Sequence, residues 1–302
     1  MPTGSTGLER YAWLSVAAAI ATITLKTLAW WVTDSVGLLS DALESLVNLA
    51  AAVLALYMLR LAHSPPDKDH PHGFSKAEYF SAGIEGALIV LAAAAIFASA
   101  LRRLLSPHPL DPPLLGLALN LAATAINLAV AVVLIRAGKT HHSITLEADG
   151  RHLLTDVWTS VGVFVGVALV YLTGWLILDP LIALAVAINI IWTGVGLMRR
   201  SVSGLLDAAI SAEYLEEIDK LFREYTQRHG VTFHALRTRQ AGARRFVTFH
   251  LLVPDAWSVK QAHELSEELE SRIRALVPNA NLLTHIEPIS DPASYDDQAL
   301  DR

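Results

Sequence analysis

The 302-residue chain contains no cysteine. That excludes disulfides and thiolate metal sites, and it removes the usual clue to redox compartment. Thiolates are the ligands that best select Cu(I), so any metal bound here should be harder or borderline. Charge is also scarce: 17% of residues are charged, against about 25% in soluble domains. The shortage is local, running from residue 11 to about 198, with ordinary charge density beyond. Basic clusters are missing and the net charge is −6, which argues against a nucleic-acid partner. No Ser–His–Asp order, P-loop or phosphate-binding glycine pattern is visible, so an enzyme is not expected. The opening "MPTGSTGLER" is polar and leads into no small-residue cleavage site, so no cleavable signal is expected.

What is present is hydrocarbon. A spanning helix needs about 20 mostly apolar residues, and six stretches qualify: Tyr11–Val32, Leu38–Leu59, Tyr79–Leu101, Pro113–Ile135, Ile144–Thr173 and Leu178–Leu197. Lys and Arg fall after the second stretch (Arg60, Lys68, Lys76), the fourth (Arg136, Lys139) and the sixth (Arg199, Arg200), and are missing from the turns "DSVGL" and "GWLIL". By the positive-inside rule both termini are cytoplasmic. Arg102 and Arg103, after the third stretch, break the pattern.

The expected organisation is a six-helix transmembrane domain over residues 1–202 and a cytoplasmic domain over 203–290. In the latter, "AEYLEEIDKLFREYTQ" and "SVKQAHELSEELESRIRALV" have helical periodicity. "VTFHALRTRQ", "RRFVTFHLLV" and "NANLLTHIEPI" read as strands. The order αββαβ predicts a small two-layer α+β domain of ferredoxin-like or metallochaperone-like type, with helices on one face of a sheet. The acidic tail, 291–302, has few large apolar groups and is expected to be disordered.

Two of the apolar stretches have polar first halves. Asp41, Glu44 and Asn48 are spaced i, i+3, i+7, and Asp149, His152 and Asp156 repeat that spacing, so each set lies on one helix face. If the two helices face each other, Glu44, Asn48, His152 and Asp156 can close into a four-ligand cage. Residues four apart stack one turn from each other, about 5–6 Å between Cβ atoms, a reach suited to one metal ion. The competing reading is interhelical hydrogen bonding alone. Six such residues in register favour an ion or proton path, because each ionisable group costs about 2.5–3.5 kcal/mol in the membrane. Imidazole with carboxylate suits a borderline divalent cation such as Zn²⁺. Metal binding displaces protons from such ligands.

Histidines also gather elsewhere. The loop "SPPDKDHPHGFSKAEYF" carries Asp67, Asp69, His70 and His72. Beyond the membrane region, His234 and His250 lie on successive predicted strands, His263 on a helix, and His285 on the last strand. Glu287, two residues on, shares the sheet face of His285.

In these features the chain resembles the cation diffusion facilitator family, especially its bacterial ferrous-iron and zinc efflux members. The resemblance covers about residues 10–290 and is carried by the six stretches, the paired ligand motifs, the histidine loop and "HALRTRQAGARRFVTFH". It implies a homodimeric cation/proton antiporter in the bacterial inner membrane, exporting divalent metal, with Zn²⁺ favoured and Fe²⁺, Mn²⁺, Co²⁺ or Cd²⁺ as alternatives. It assigns the transport site to Glu44, Asn48, His152 and Asp156. Two of these depart from the family pattern, which has Asp or His at the first position and Asp at the second. An Asn side chain carries no exchangeable proton, and Asp41 is expected to support the site with the missing charge. A loop site is implied at Asp67 and His70, but its third position is Phe74, with His72 nearby. A binuclear zinc site is implied at His234, His250, His263, His285 and Glu287, and a dimer charge pair at Lys76 and Asp207. The alternative activity is a metal-gated proton or cation channel.

Overall fold

A computed structural model of the chain describes residues 5–33, 36–105 and 114–301. The side chains at 5–6, 29, 32–33, 36–44, 114–117, 163, 167–168, 171 and 297–301 lie outside that description. The chain divides into two compact units, Met1–Val202 and Ser203–Arg302.

Six long helices build the first unit: α1 (Ser5–Thr33), α2 (Val36–Ala62), α3 (Ala77–Leu105), α4 (Leu114–His141), α5 (Ile144–Thr173) and α6 (Leu178–Leu205). At 1.5 Å per residue each is roughly 40 Å long, more than the ~30 Å of bilayer hydrocarbon. Among the described residues, five of them, all but α5, contain an apolar window long enough to cross a membrane. The N-terminal half of α5 carries Glu147, Asp149, Arg151 and Asp156, and its polar side is turned inward. Asp149 and His152 are buried, while Trp158, Val161 and Val165 on the same helix are exposed.

Lipid chains are as apolar as leucine, so helices in a bilayer associate through close packing and hydrogen bonds. Both devices are present. Alanines let α1, α2 and α4 approach: Ala12, Ala18, Ala52 and Ala131 lie in one cluster with Leu56, Leu59 and Leu134. Between α4 and α5 the approach is closer still. A Cβ on Gly138 would meet the backbone nitrogen of Glu147 at 2.6 Å, and one on Gly150 the carbonyl of Ala131 at 3.0 Å. Buried polar groups fix the start of α5. Its N-cap, Ser143, donates to Glu78 Oε2 of α3 at 2.5 Å and accepts from the backbone of Leu146. Glu147 accepts from Arg151 on its own helix and from both terminal nitrogens of Arg200 on α6. Arg103, which broke the loop-charge pattern, pairs with Asp179 at the start of α6 at 3.2 Å.

The second unit follows the predicted αββαβ order: α7 (Ala212–His229), β1 (Thr232–Ala241), β2 (Arg244–Val253), α8 (Val259–Leu276) and β3 (Ala280–Pro288). The sheet order is β1-β2-β3, with β1 antiparallel and β3 parallel to β2. Gly230 ends α7 in the left-handed conformation, φ 67°. The capping box Ser258/Gln261 begins α8, satisfying amides that a helix start leaves free. One face of β2 (Val247, Phe249, Leu251) packs with Ile218, Leu221 and Phe222 of α7 and Leu265, Leu269 and Ile273 of α8. Phe249 is fully buried beside the stacked rings of Phe222 and Phe233. Replacing it with alanine is expected to destabilise this unit by about 3–5 kcal/mol, read as faster hydrogen exchange at the strand amides of the solubilised protein. Unchanged protection would remove Phe249 from the core.

Beyond β3, Pro292–Asp301 takes a 3₁₀ conformation. Its composition is polar, but local hydrogen bonds hold it down: Ser294 donates to the Pro288 carbonyl at 2.9 Å and Tyr295 Oη to that of Ile289 at 3.0 Å.

Candidate metal sites

The paired motifs on α2 and α5 do meet. Asn48 Nδ2 donates to Asp156 Oδ2 at 2.6 Å, and Asn48 Oδ1 lies 2.8 Å from His152 Nε2. Since an amide oxygen only accepts, the hydrogen-bond network assigns the proton to His152 Nε2. Asn48 and His152 are buried, and Asp156 is half-buried. The i, i+4 spacing of His152 and Asp156 stacks them on one face of α5, and Asn48 bridges to both. Asp41 and Glu44 lie on α2, with Glu44 one turn before Asn48, but their side chains are outside the described residues.

A third helix contributes a residue that the motif search did not single out. Asn127 Nδ2 of α4 donates to the same Asp156 oxygen at 3.2 Å. Its signal in the sequence was its place seven residues after Asn120 and three after Thr124, on one face of a mostly apolar span. Two cavities meet at Asp156. One, of about 310 Å³, is lined by Asn48, His152 and Thr155 among apolar residues of α3. The other, of about 200 Å³, is lined by Lys26, Asn120, Thr159 and Asp179. Asp156 and Ile96 border both.

In the loop, Asp67 Oδ1 accepts from the backbone and ring nitrogens of His70 at 2.6 and 3.0 Å. Desolvation by itself would raise the Asp67 carboxyl, but these bonds together hold it below its ordinary value. The ring of Phe74 packs on that of His70 at 4.4 Å, so an aromatic face occupies the expected third position.

The second unit holds a closer cluster. Among the described residues, one group of three or more potential ligands has its atoms mutually within 4.8 Å: His234, His250 and Glu287. The strand registers create it. His234 pairs with His250, and His250 with His285, placing three histidines in one row across the sheet. An irregularity follows His234 before Arg237, with Ala235 at φ 51°, a bulge that re-aims the strand at that point. The row lies on the face opposite the helices, since Phe249 and Leu251 on either side of His250 point into the core. Glu287 Oε2 lies 2.9 Å from His234 Nε2 and 3.0 Å from His250 Nδ1, and its Oε1 is 3.4 Å from His285 Nε2. Burial by itself would raise the Glu287 carboxyl, but the hydrogen bonds from His234 and His250 hold it below its ordinary value. Three imidazoles around one carboxylate form a nitrogen-rich donor set of the kind Zn²⁺ takes, so these residues fit the ion. His263 is exposed on α8, which packs on the other face, so the structure does not bring it to the row within one chain. Lys76 and Asp207 belong to different units, and Asp207 accepts from Arg239 within its own at 3.3 Å.

Long apolar helices enclosing a polar constellation, joined to a domain with a His/Glu cluster, are what a membrane cation transporter would need. The family model described as the cation efflux transmembrane domain matches residues 12–206, and that of the cation efflux protein cytoplasmic domain matches 210–289. The chain belongs to the cation diffusion facilitator family: it is an integral-membrane cation efflux transporter and not an enzyme. Its cytoplasmic domain is of the dimerising type, which supports a homodimer. It is 53% identical over 285 residues to an uncharacterized transporter of Synechocystis, covering 94% of this chain and 92% of that one. The cation-efflux pump FieF of Yersinia pestis is 31% identical over 284 residues, covering 92% and 94%. A solved structure of CzrB in its zinc form, described as that of a candidate zinc transporter, is 32% identical with a TM-score of 0.26, covering 28% of this chain and 93% of that one.

Proposed function

We propose that the protein exports a divalent cation, Zn²⁺ above all, from the bacterial cytoplasm in exchange for protons, by alternating access. The supporting observation is the Asn48–His152–Asp156 constellation across α2 and α5, with Asp156 lining two cavities. Glu44, one turn before Asn48, would complete the set, with Asp41 adding charge. Imidazole and carboxylate must be deprotonated to bind the cation, so its arrival and departure exchange with protons. An imidazole nitrogen such as that of His152 holds either a proton or the cation, which suits that exchange.

In the soluble domain, His234, His250, His285 and Glu287 would hold resident Zn²⁺, which supplies positive charge to bind the carboxylate and imidazoles together. His263 could join such a site only from a second copy of the chain. Cations there would draw the two soluble domains of the dimer together, and a Lys76–Asp207 pair would hold the dimer at the membrane surface. Asp67 and His70, with His72, form a lesser candidate, having two adjacent donors and an aromatic ring at the third position.

The same two cavities suit a metal-gated proton or cation channel, and flux measurements on proteoliposomes separate the two. The antiporter is expected to move Zn²⁺ only when protons can move the opposite way, and collapse of the pH gradient is expected to slow uptake severalfold. Proton flux persisting at full rate without transportable metal would replace the antiporter with the channel.

A further inference from the structure

We infer that Asn127 of α4 is an additional oxygen donor of the transport site, extending its cargo to divalent cations of higher coordination number than Zn²⁺, such as Mn²⁺ and Fe²⁺. The inference rests on the reading of Asn48, His152 and Asp156 as the cargo site.

Three observations carry it. Asn127 is 3% exposed, so the amide has no role in solvation. Its Nδ2 is committed to Asp156 Oδ2, the oxygen that Asn48 also contacts. Its Oδ1 is buried without a hydrogen-bond partner, an arrangement that costs about 1–3 kcal/mol when nothing fills it. The amide cannot relieve this by flipping, because that would set its oxygen against the carboxylate. A buried acceptor held at an anionic ligand is what an incoming cation would satisfy.

The reach is compatible. With standard C=O and C–N bond lengths, Oδ1 lies at most about 5.8 Å from Asp156 Oδ2. Oxygens on opposite sides of one cation sit roughly 4–5 Å apart, so a modest side-chain rotation brings Oδ1 into range. The donor set would then be one imidazole nitrogen, two amide oxygens and the Asp156 carboxylate, with Glu44 completing it. Four-coordinate Zn²⁺ does not need the added oxygen. Cations that favour six-coordinate, oxygen-rich sites do.

The test is a metal panel with full-length protein in proteoliposomes, comparing wild type, Asn127→Leu, Asn127→Asp and His152→Ala. Asn127→Leu keeps the volume and removes the oxygen. It is expected to lower Mn²⁺ and Fe²⁺ transport about 10-fold or more relative to Zn²⁺, with Zn²⁺ transport largely kept. Asn127→Asp restores an oxygen and is expected to recover the Mn²⁺/Zn²⁺ ratio at least in part. If Asn127→Leu does not elute as a folded protein, Asn127→Ala takes its place in the comparison. An unchanged ratio, an equal loss for all metals, a ratio that Asn127→Asp leaves at the Leu or Ala value, or a wild type that carries Zn²⁺ but neither Mn²⁺ nor Fe²⁺ would overturn the inference. Normal transport by His152→Ala would instead show that the underlying site is misassigned.

Discussion

Replacement of His152 by alanine is expected to abolish cation transport, lowering the initial rate on the order of 100-fold or more, while the protein still inserts and purifies. His152 is the one nitrogen donor among Asn48, Asn127, His152 and Asp156. Its removal has two effects. A borderline cation loses the ligand it prefers, and the buried Asn48 Oδ1 loses its 2.8 Å partner. The second effect alone would change stability; only the first stops transport of every cation that needs the nitrogen. Uptake of Zn²⁺ into proteoliposomes reads the first, and thermal unfolding in detergent reads the second. A variant that transports at the wild-type rate would move the cargo site away from α2 and α5.

Conversion of Glu287 to glutamine is expected to cost the soluble domain its zinc affinity, again about 100-fold, with little change in fold. One oxygen of Glu287 faces both His234 and His250, and the other faces His285. A glutamine retains the shape but removes the negative charge and turns an NH₂ group toward nitrogens that must bind metal through lone pairs. Titration with Zn²⁺ against a competing chromophoric chelator, in a His152→Ala background so that the membrane site is silent, measures the loss. Undiminished affinity would exclude the carboxylate as a ligand. The same preparation tests assembly: Zn²⁺ is expected to tighten association of two copies only when Glu287 is intact.

The spacing of residues made much of this legible. Asp149, His152 and Asp156 repeat the pattern of Asp41, Glu44 and Asn48, and helical geometry turns each set to one side before any fold is known. His285 and Glu287 declare a common sheet face in the same way. Other features depend on contacts that no local pattern encodes. Asn127 shares a mostly apolar helix with Asn120 and Thr124, and only the packing of α4 against α5 brings it to Asp156. Arg103 resembled a stray loop charge because its partner, Asp179, is 76 positions later. The alignment of His234, His250 and His285 in one row requires both strand registers, and the first contains an irregularity after His234. In the tail, Ser294 and Tyr295 each bond a backbone carbonyl through the side chain, two contacts that leave no mark on its average polarity.

The inward polar half of α5 bears on how the chain is made. Emerging alone from a translocation pore, a segment with four charged residues in its first half would partition poorly into lipid, at roughly 2.5–3.5 kcal/mol per charge near the bilayer centre. It leaves the ribosome directly behind α4, to which a turn of two residues joins it and against which Gly138 and Gly150 let its backbone lie close. The hairpin is therefore the natural unit of insertion, with α4 screening the polar side of α5 until α2 and α3 close around it. Substitutions that widen the glycine contact would act at biogenesis, reducing the amount of carrier in the membrane before they alter the turnover of any copy that reaches it.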